Sequence, residues 1–125
     1  MLNSHQLMLK NRKHRKPKNL YPPGPDSAVI ALMVKYKSDI SKTRSIHFYL
    51  YFSTKTNALK AKSELLLYAF SVDIEKSAAD SRWLCLATIN MRPSVSELSR
   101  LRRFLEKLAN DYNGFFDGWE TEMLF

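Results

Sequence analysis

The sequence predicts an α+β fold. Its expected core is a four-stranded antiparallel sheet with two helices on one face, in the order β-α-β-β-α-β, preceded by one further helix and a basic tail. Three observations carry this. Residues 45–52 alternate strictly between apolar and mixed positions. Two segments, about 53–70 and 94–112, repeat apolar residues at helical spacing. A short segment with Val72 and Ile74 alternating, 71–75, and an apolar one, 82–89, are split by a polar turn, and a last strand segment, 115–123, follows a helix stop.

Each element has a local reason. Asp26 or Ser27 can cap a helix through Ala28-Val-Ile-Ala-Leu-Met-Val34 and on to Lys37, and the Ala/Leu/Met content favours helix over strand there. Ser38 to Ser45 is polar and reads as a loop. In the first strand Ile46, Phe48, Leu50 and Phe52 point to one face; His47, Tyr49 and Tyr51 point to the other, so the strand should be central with its second face partly covered. Ser53-Thr54 opens a helix to about Phe70, with Ala58, Leu59, Lys62, Leu65, Leu66, Ala69 and Phe70 inward and Lys60 and Glu64 outward. Ser71–Glu75 and Arg82–Ile89 are strands around the turn Lys76–Ser81, and Asn90–Pro93 leads onward. Ser94-Val-Ser-Glu97 is a capping box, and Leu98, Leu101, Phe104, Leu105, Leu108 and Tyr112 form the stripe of the helix it starts. Asn113-Gly114 supplies a left-handed stop before the last strand, Phe115–Met123.

The charge is unevenly placed. Twenty Lys and Arg against twelve Asp and Glu give +8. Six of the cations (Lys10, Arg12, Lys13, Arg15, Lys16 and Lys18) fall in residues 1–25, which hold no acid. Tyr21-Pro-Pro-Gly-Pro25 cannot continue a helix or a central strand. Residues 1–25 therefore read as a disordered, Pro-rich basic tail and 26–125 as one near-neutral domain. No run approaches the length of a membrane span, and no apolar segment follows the N-terminal cations as in a secretory signal. One cysteine and three histidines make neither a disulfide nor a zinc motif. No cofactor, metal or membrane partner is expected, and the location expected is cytoplasmic.

The candidate chemistries are few. Asp117, Glu120 and Glu122 are close in sequence, but no second base or pocket is specified, so catalysis is not expected. Cys85 lies in an apolar strand and reads as a small buried hydrophobe rather than a thiolate activated by His47. Asp117-Gly118 interrupts the last strand, which suggests a bulge beside a buried Trp119. His47, Tyr49 and Tyr51 on one sheet face, with Trp83 and Cys85 sharing a face of another strand, allow an RNA-stacking reading assisted by phosphate contacts from the tail. The Lys/Arg-Gly-aromatic signature of RNA-recognition domains is absent, and cover by the N-terminal helix or a partner is the competing reading of that face.

Three segments taken in order resemble a known family. Asp39-Ile-Ser-Lys-Thr-Arg44, His47-Phe-Tyr-Leu-Tyr-Phe52 and Phe116-Asp-Gly-Trp-Glu120 are similar to the RraB-type regulators of ribonuclease E, and the resemblance spans about residues 28–123. It implies a ferredoxin-like sandwich and a non-enzymatic protein that binds the non-catalytic scaffold region of ribonuclease E and so modulates RNA decay. By position, Lys42, Arg44 and His47 match the family's loop and first strand. Asp117, Gly118 and Trp119, with Glu120 beside them, match its terminal motif. The partner implied is ribonuclease E or another RNA-decay component. Members that inhibit ribonuclease E tend to be acidic, whereas this chain is basic.

Overall fold

The structure is a computed structural model that describes residues 25–124. The tail cations Lys10–Lys18 and residues 21–24 of the proline-rich linker lie outside the described residues. The element order is α1 (Pro25–Lys35), β1 (Arg44–Phe52), α2 (Lys55–Leu65), a 3-10 turn (Leu66–Tyr68), β2 (Ser71–Lys76), β3 (Trp83–Met91), α3 (Val95–Asp111) and β4 (Gly114–Thr121). The strands form one sheet in the order β2-β3-β1-β4. This is a mixed α+β architecture with β1 in an interior position, as its apolar alternation demands. β2 pairs antiparallel with β3, Ser71 opposite Thr88 and Lys76 opposite Trp83.

The chain gathers into two compact units. One takes in the described residues up to Ile46, then Asn90–Leu101 and those from Glu120 on; the other takes in His47–Ile89 and Arg102–Trp119. In the first, Val29, Ile30, Met33, Ile46 and Leu98 are buried. Its helix α1 begins at Pro25, earlier than a cap at Asp26 or Ser27 would place it, so both residues lie inside the first turn and are buried. Proline's fixed φ and missing amide suit that position. Asp26 Oδ2 accepts a bond from Ser99 Oγ at 3.4 Å, which ties the first turn of α1 to the second turn of α3. At the start of α3 the capping box is half formed. Ser94 Oγ accepts from the Glu97 amide, but the Glu97 carboxylate takes Arg100 Nη2 at 2.8 Å instead of reaching back.

In the second unit, Phe48, Leu50, Phe52, Leu65, Leu105 and Ala109 are buried. Thr54 caps α2, its side chain accepting from the Asn57 amide. The helix stops five residues short of Phe70. Leu66–Tyr68 tighten into a 3-10 turn, Ala69 takes a left-handed φ of 67°, and the reversal delivers Phe70 edge-on to Phe48 at 5.9 Å. The buried side of α2 is Ala58, Ala61 and Leu65; Leu59 and Leu66 are exposed, contrary to the expected stripe. Small alanines let the helix approach closely and turn the bulkier leucines outward. The Glu64 carboxylate accepts from the Tyr112 hydroxyl at 2.9 Å.

The strand limits also shift. Asn90 and Met91 extend β3 instead of linking onward, while Arg82 stays outside it and pins the β2–β3 turn. There Ser77 N donates to Arg82 O, and Arg82 N and Nε donate to the Asp80 carboxylate. β4 starts at Gly114 and ends at Thr121, so Glu122 and Met123 lie beyond it. The left-handed residue at the stop is Asn113, φ 58°. Gly114 serves a different need: a Cβ there would meet the Tyr51 carbonyl oxygen and the Phe52 ring well inside van der Waals contact. Gly114→Ala must push apart two backbones and is expected to cost about 1–3 kcal/mol. An unchanged urea midpoint would count against this account.

Candidate functional site

The loop between α1 and β1 is organised around a buried arginine. Arg44 is almost wholly buried. Its Nε donates to Lys42 O at 3.2 Å, Nη1 donates to Ser38 Oγ at 3.1 Å and Glu122 O at 3.0 Å, and Nη2 donates to Asp39 O. Burial pulls the guanidinium's pKa below its usual value, against the opposing charges of Asp39 and Glu122. Ser38 extends the cluster: its hydroxyl donates to Leu124 O and meets Leu124 N, and the Asp39 amide also reaches Leu124 O. Thr121 Oγ1 donates to Ser45 O at 2.6 Å. The guanidinium's fork thus stitches the loop to the segment after β4 through carbonyl oxygens, a task that a single ammonium cannot perform.

Asp39 supports the same loop from outside. Its Oδ1 accepts from the Ser41 hydroxyl at 2.6 Å and the Ser41 amide at 3.0 Å, an Asx turn. These bonds hold its carboxyl below the ordinary carboxylate range.

On the second face of β1, His47 Nδ1 lies 2.8 Å from Thr88 Oγ1, and Ser45 Oγ donates to Asn90 Oδ1 at 2.7 Å. These contacts advance by two along β1 and retreat by two along β3, as antiparallel neighbours must. They place the even residues of β3 beside His47, Tyr49 and Tyr51. By alternation, Trp83 and Cys85 occupy the opposite face, with Phe48. The tyrosine face is completed instead by two residues the sequence reading did not single out. Phe115 stacks on Tyr51 with ring centroids 5.5 Å apart, and the Arg82 guanidinium lies 4.7 Å from the Tyr51 centroid and 5.0 Å from that of Phe115. Asp80 holds Arg82 by an ion pair of 2.6 Å, and Asp117 adds its charge nearby. The available signal was alternation in β4, which sets exposed Phe115 against Phe116; Phe116 faces Phe48 at 6.2 Å.

In the terminal motif, Gly118 has φ 101°, a conformation other residues rarely adopt, and Gly118 and Trp119 are buried in succession. That break in alternation agrees with the expected interruption at Asp117-Gly118. Asp117 is exposed and Glu120 half-buried. Lys42, Arg44 and Glu120 belong to the first unit; His47, Asp117, Gly118 and Trp119 belong to the second. Within the first, Arg44 and the Lys42 carbonyl are brought together; within the second, Asp117 faces the charge of Arg82.

The chemistry available is correspondingly limited. Cys85 is fully buried, and burial pushes its thiol up to about 12, which removes the thiolate at neutral pH. Among the described residues no three His, Cys, Asp or Glu gather as metal ligands, and no helix is long and apolar enough to cross a membrane.

The model of the family RraB, described as Regulator of ribonuclease activity B, matches residues 25–121. No curated protein matches the chain.

Proposed function

The chain belongs to the RraB family of regulators of ribonuclease activity, and from that premise we propose that it regulates a ribonuclease by binding protein, without catalysing a reaction itself. One observation supports this above others: Arg44, His47, Gly118 and Trp119 of the motif are occupied in building the fold. Arg44 ties backbone to backbone, His47 bonds Thr88, and Trp119 is buried beside the left-handed Gly118. Groups engaged in this way specify a scaffold, and recognition then falls to the surface it presents. The strand order β2-β3-β1-β4 supports reading that scaffold as ferredoxin-like. In this reading the protein acts in the cytoplasm, on ribonuclease E or a component bound to it, and Lys42, Asp117 and Glu120 supply polar contacts.

The RNA-binding reading has weaker support. Asp80 and Asp117 beside Arg82 put negative charge at the Tyr51–Phe115 stack, where phosphate would have to approach. Affinity for RNA would then rest on the cations of residues 1–25.

The test is to add the purified chain to a ribonuclease E cleavage assay and, separately, to RNA alone. The expected result is slowed cleavage of RNA by the ribonuclease, recovery of ribonuclease or RNA-decay components in a pull-down, and intact RNA when the chain is the only protein. Cleavage by the chain alone, or an unchanged ribonuclease rate with no such component recovered, would overturn the proposal.

A further inference from the structure

The outer side of α2 and the turn after it carry an apolar ridge that stays largely exposed. Leu59 is 45% exposed, Leu66 52%, Leu67 79% and Tyr68 54%. Leu59 and Leu66 are seven residues apart, nearly two helical turns, and so lie on one side. Ser63, between them, turns its hydroxyl back onto Leu59 O at 3.1 Å. Tyr68 packs edge-on against Phe104 of α3, ring centroids 4.9 Å apart, which sets the ridge beside the middle of that helix. Four large apolar side chains within ten residues form a patch, unlike the scattered exposed leucines of an ordinary surface.

Charge says what kind of partner would cover it. The acids around the ridge are engaged within the fold: Glu64 by the Tyr112 hydroxyl, Glu106 by Arg102 at 3.6 Å and Asp111 by Lys107 at 3.0 Å. Lys60, one turn from Glu64 and seven residues before Leu67, and Arg103, next to Phe104, are exposed and have no ion pair among the described residues. The ridge therefore has an apolar crest and a cationic margin. A second copy of the chain fits poorly, because its ridge brings the same cationic margin and the acids beside it are already engaged. We propose that this ridge is the docking surface for an acidic, amphipathic segment of a partner protein, with leucine- or phenylalanine-type anchors on Leu59, Leu66, Leu67 and Tyr68 and carboxylates on Lys60 and Arg103. This inference rests on the protein-binding role proposed above and names the chemistry of the contact.

The test uses the full chain and a synthetic amphipathic helical peptide of about 20 residues with leucines along one side and glutamates elsewhere. A second peptide carries lysine in place of every glutamate. Fluorescence anisotropy is expected to show binding of the glutamate peptide only. Leu67→Glu should weaken it about tenfold. Lys60→Glu should weaken it several-fold at low salt, with the deficit shrinking at about 0.3 M salt as screening sets in. Both side chains are exposed, and unchanged urea midpoints would show the variants folded. Failure of the glutamate peptide to bind, equal binding of the lysine peptide, or indifference to Leu67→Glu would each overturn the proposal. So would a dimer in sedimentation that Leu67→Glu dissociates, which would assign the ridge to a second copy. If a ribonuclease component is captured equally by the wild type and by Leu67→Glu, the ridge is wrong and the regulatory role stands. If the peptide results hold and no such component is captured, the ridge stands and the regulatory role falls.

Discussion

Arg44→Met is expected to lower the free energy of unfolding by about 2–4 kcal/mol, since it strands the buried Ser38 hydroxyl and three part-buried carbonyl oxygens, each costing about 1–3 kcal/mol where it stays unpaired and less where water reaches it. The acceptors are the carbonyl oxygens of Asp39, Lys42 and Glu122 and the hydroxyl of Ser38. Methionine fills much of the volume, so the loss reports hydrogen bonding more than packing. Arg44→Lys should recover part of it, because an ammonium can meet one or two of these oxygens but cannot span the set. Urea denaturation with an unchanged m-value is the measurement. For a domain of ordinary stability, about 5–15 kcal/mol, this is a large share of the total. A loss below about 1 kcal/mol would exclude a structural role. The experiment also separates two roles for a motif residue: a partner contact would lose binding and keep stability, whereas the clamp described above loses stability first.

Phe48→Ala is expected to be comparably damaging, about 3–5 kcal/mol. Phe48 is fully buried at the centre of β1, edge-on to Phe70 and tilted against Phe116 at 6.2 Å. Removing the ring leaves a cavity flanked by Phe70 and Phe116, in an interior strand whose backbone is held by a neighbour on each side. Phe48→Leu should cost less than half as much. The double variant Phe48→Ala, Phe70→Ala should cost less than the sum of the two single changes, because the shared contact is lost only once. Additive losses would show that the two rings do not support each other.

How far the sequence could be read depends on whether each signal was local. The alternation of β1 survives intact, because one residue in two facing a core leaves a period-two record whatever lies opposite. The α3 stripe is similar: Leu98, Leu101, Leu105 and Leu108 are all buried. In α2 the same logic misassigns Leu59 and Leu66. Hydrophobic periodicity cannot tell a core face from an apolar outer ridge when alanines make the close contact. The left-handed Ala69 had no glycine or asparagine to announce it. Arg44 was legible as a motif position but not as a clamp, since its acceptors are main-chain oxygens with no residue type to give them away. The Tyr51–Phe115–Arg82 stack joins three segments distant in sequence, and only the register of the sheet brings them together.

The Arg44–Ser38 cluster has a consequence in time as well as in stability. Ser38 and Leu124 are 86 residues apart, and Arg44 and Glu122 are 78. Closing loops of that length takes entropy that only an already assembled chain can offset, whereas the β2–β3 hairpin and the Thr54 cap need neighbours only a few residues away. The clamp should therefore form on the native side of the folding barrier. Arg44 variants are then expected to unfold faster while folding at nearly the wild-type rate. During synthesis the Ser38, Asp39 and Lys42 acceptors lie beside the guanidinium from the start, but the Glu122 carbonyl is translated 78 residues later, so the bond that joins the loop to the segment after β4 can form only once that strand has been made.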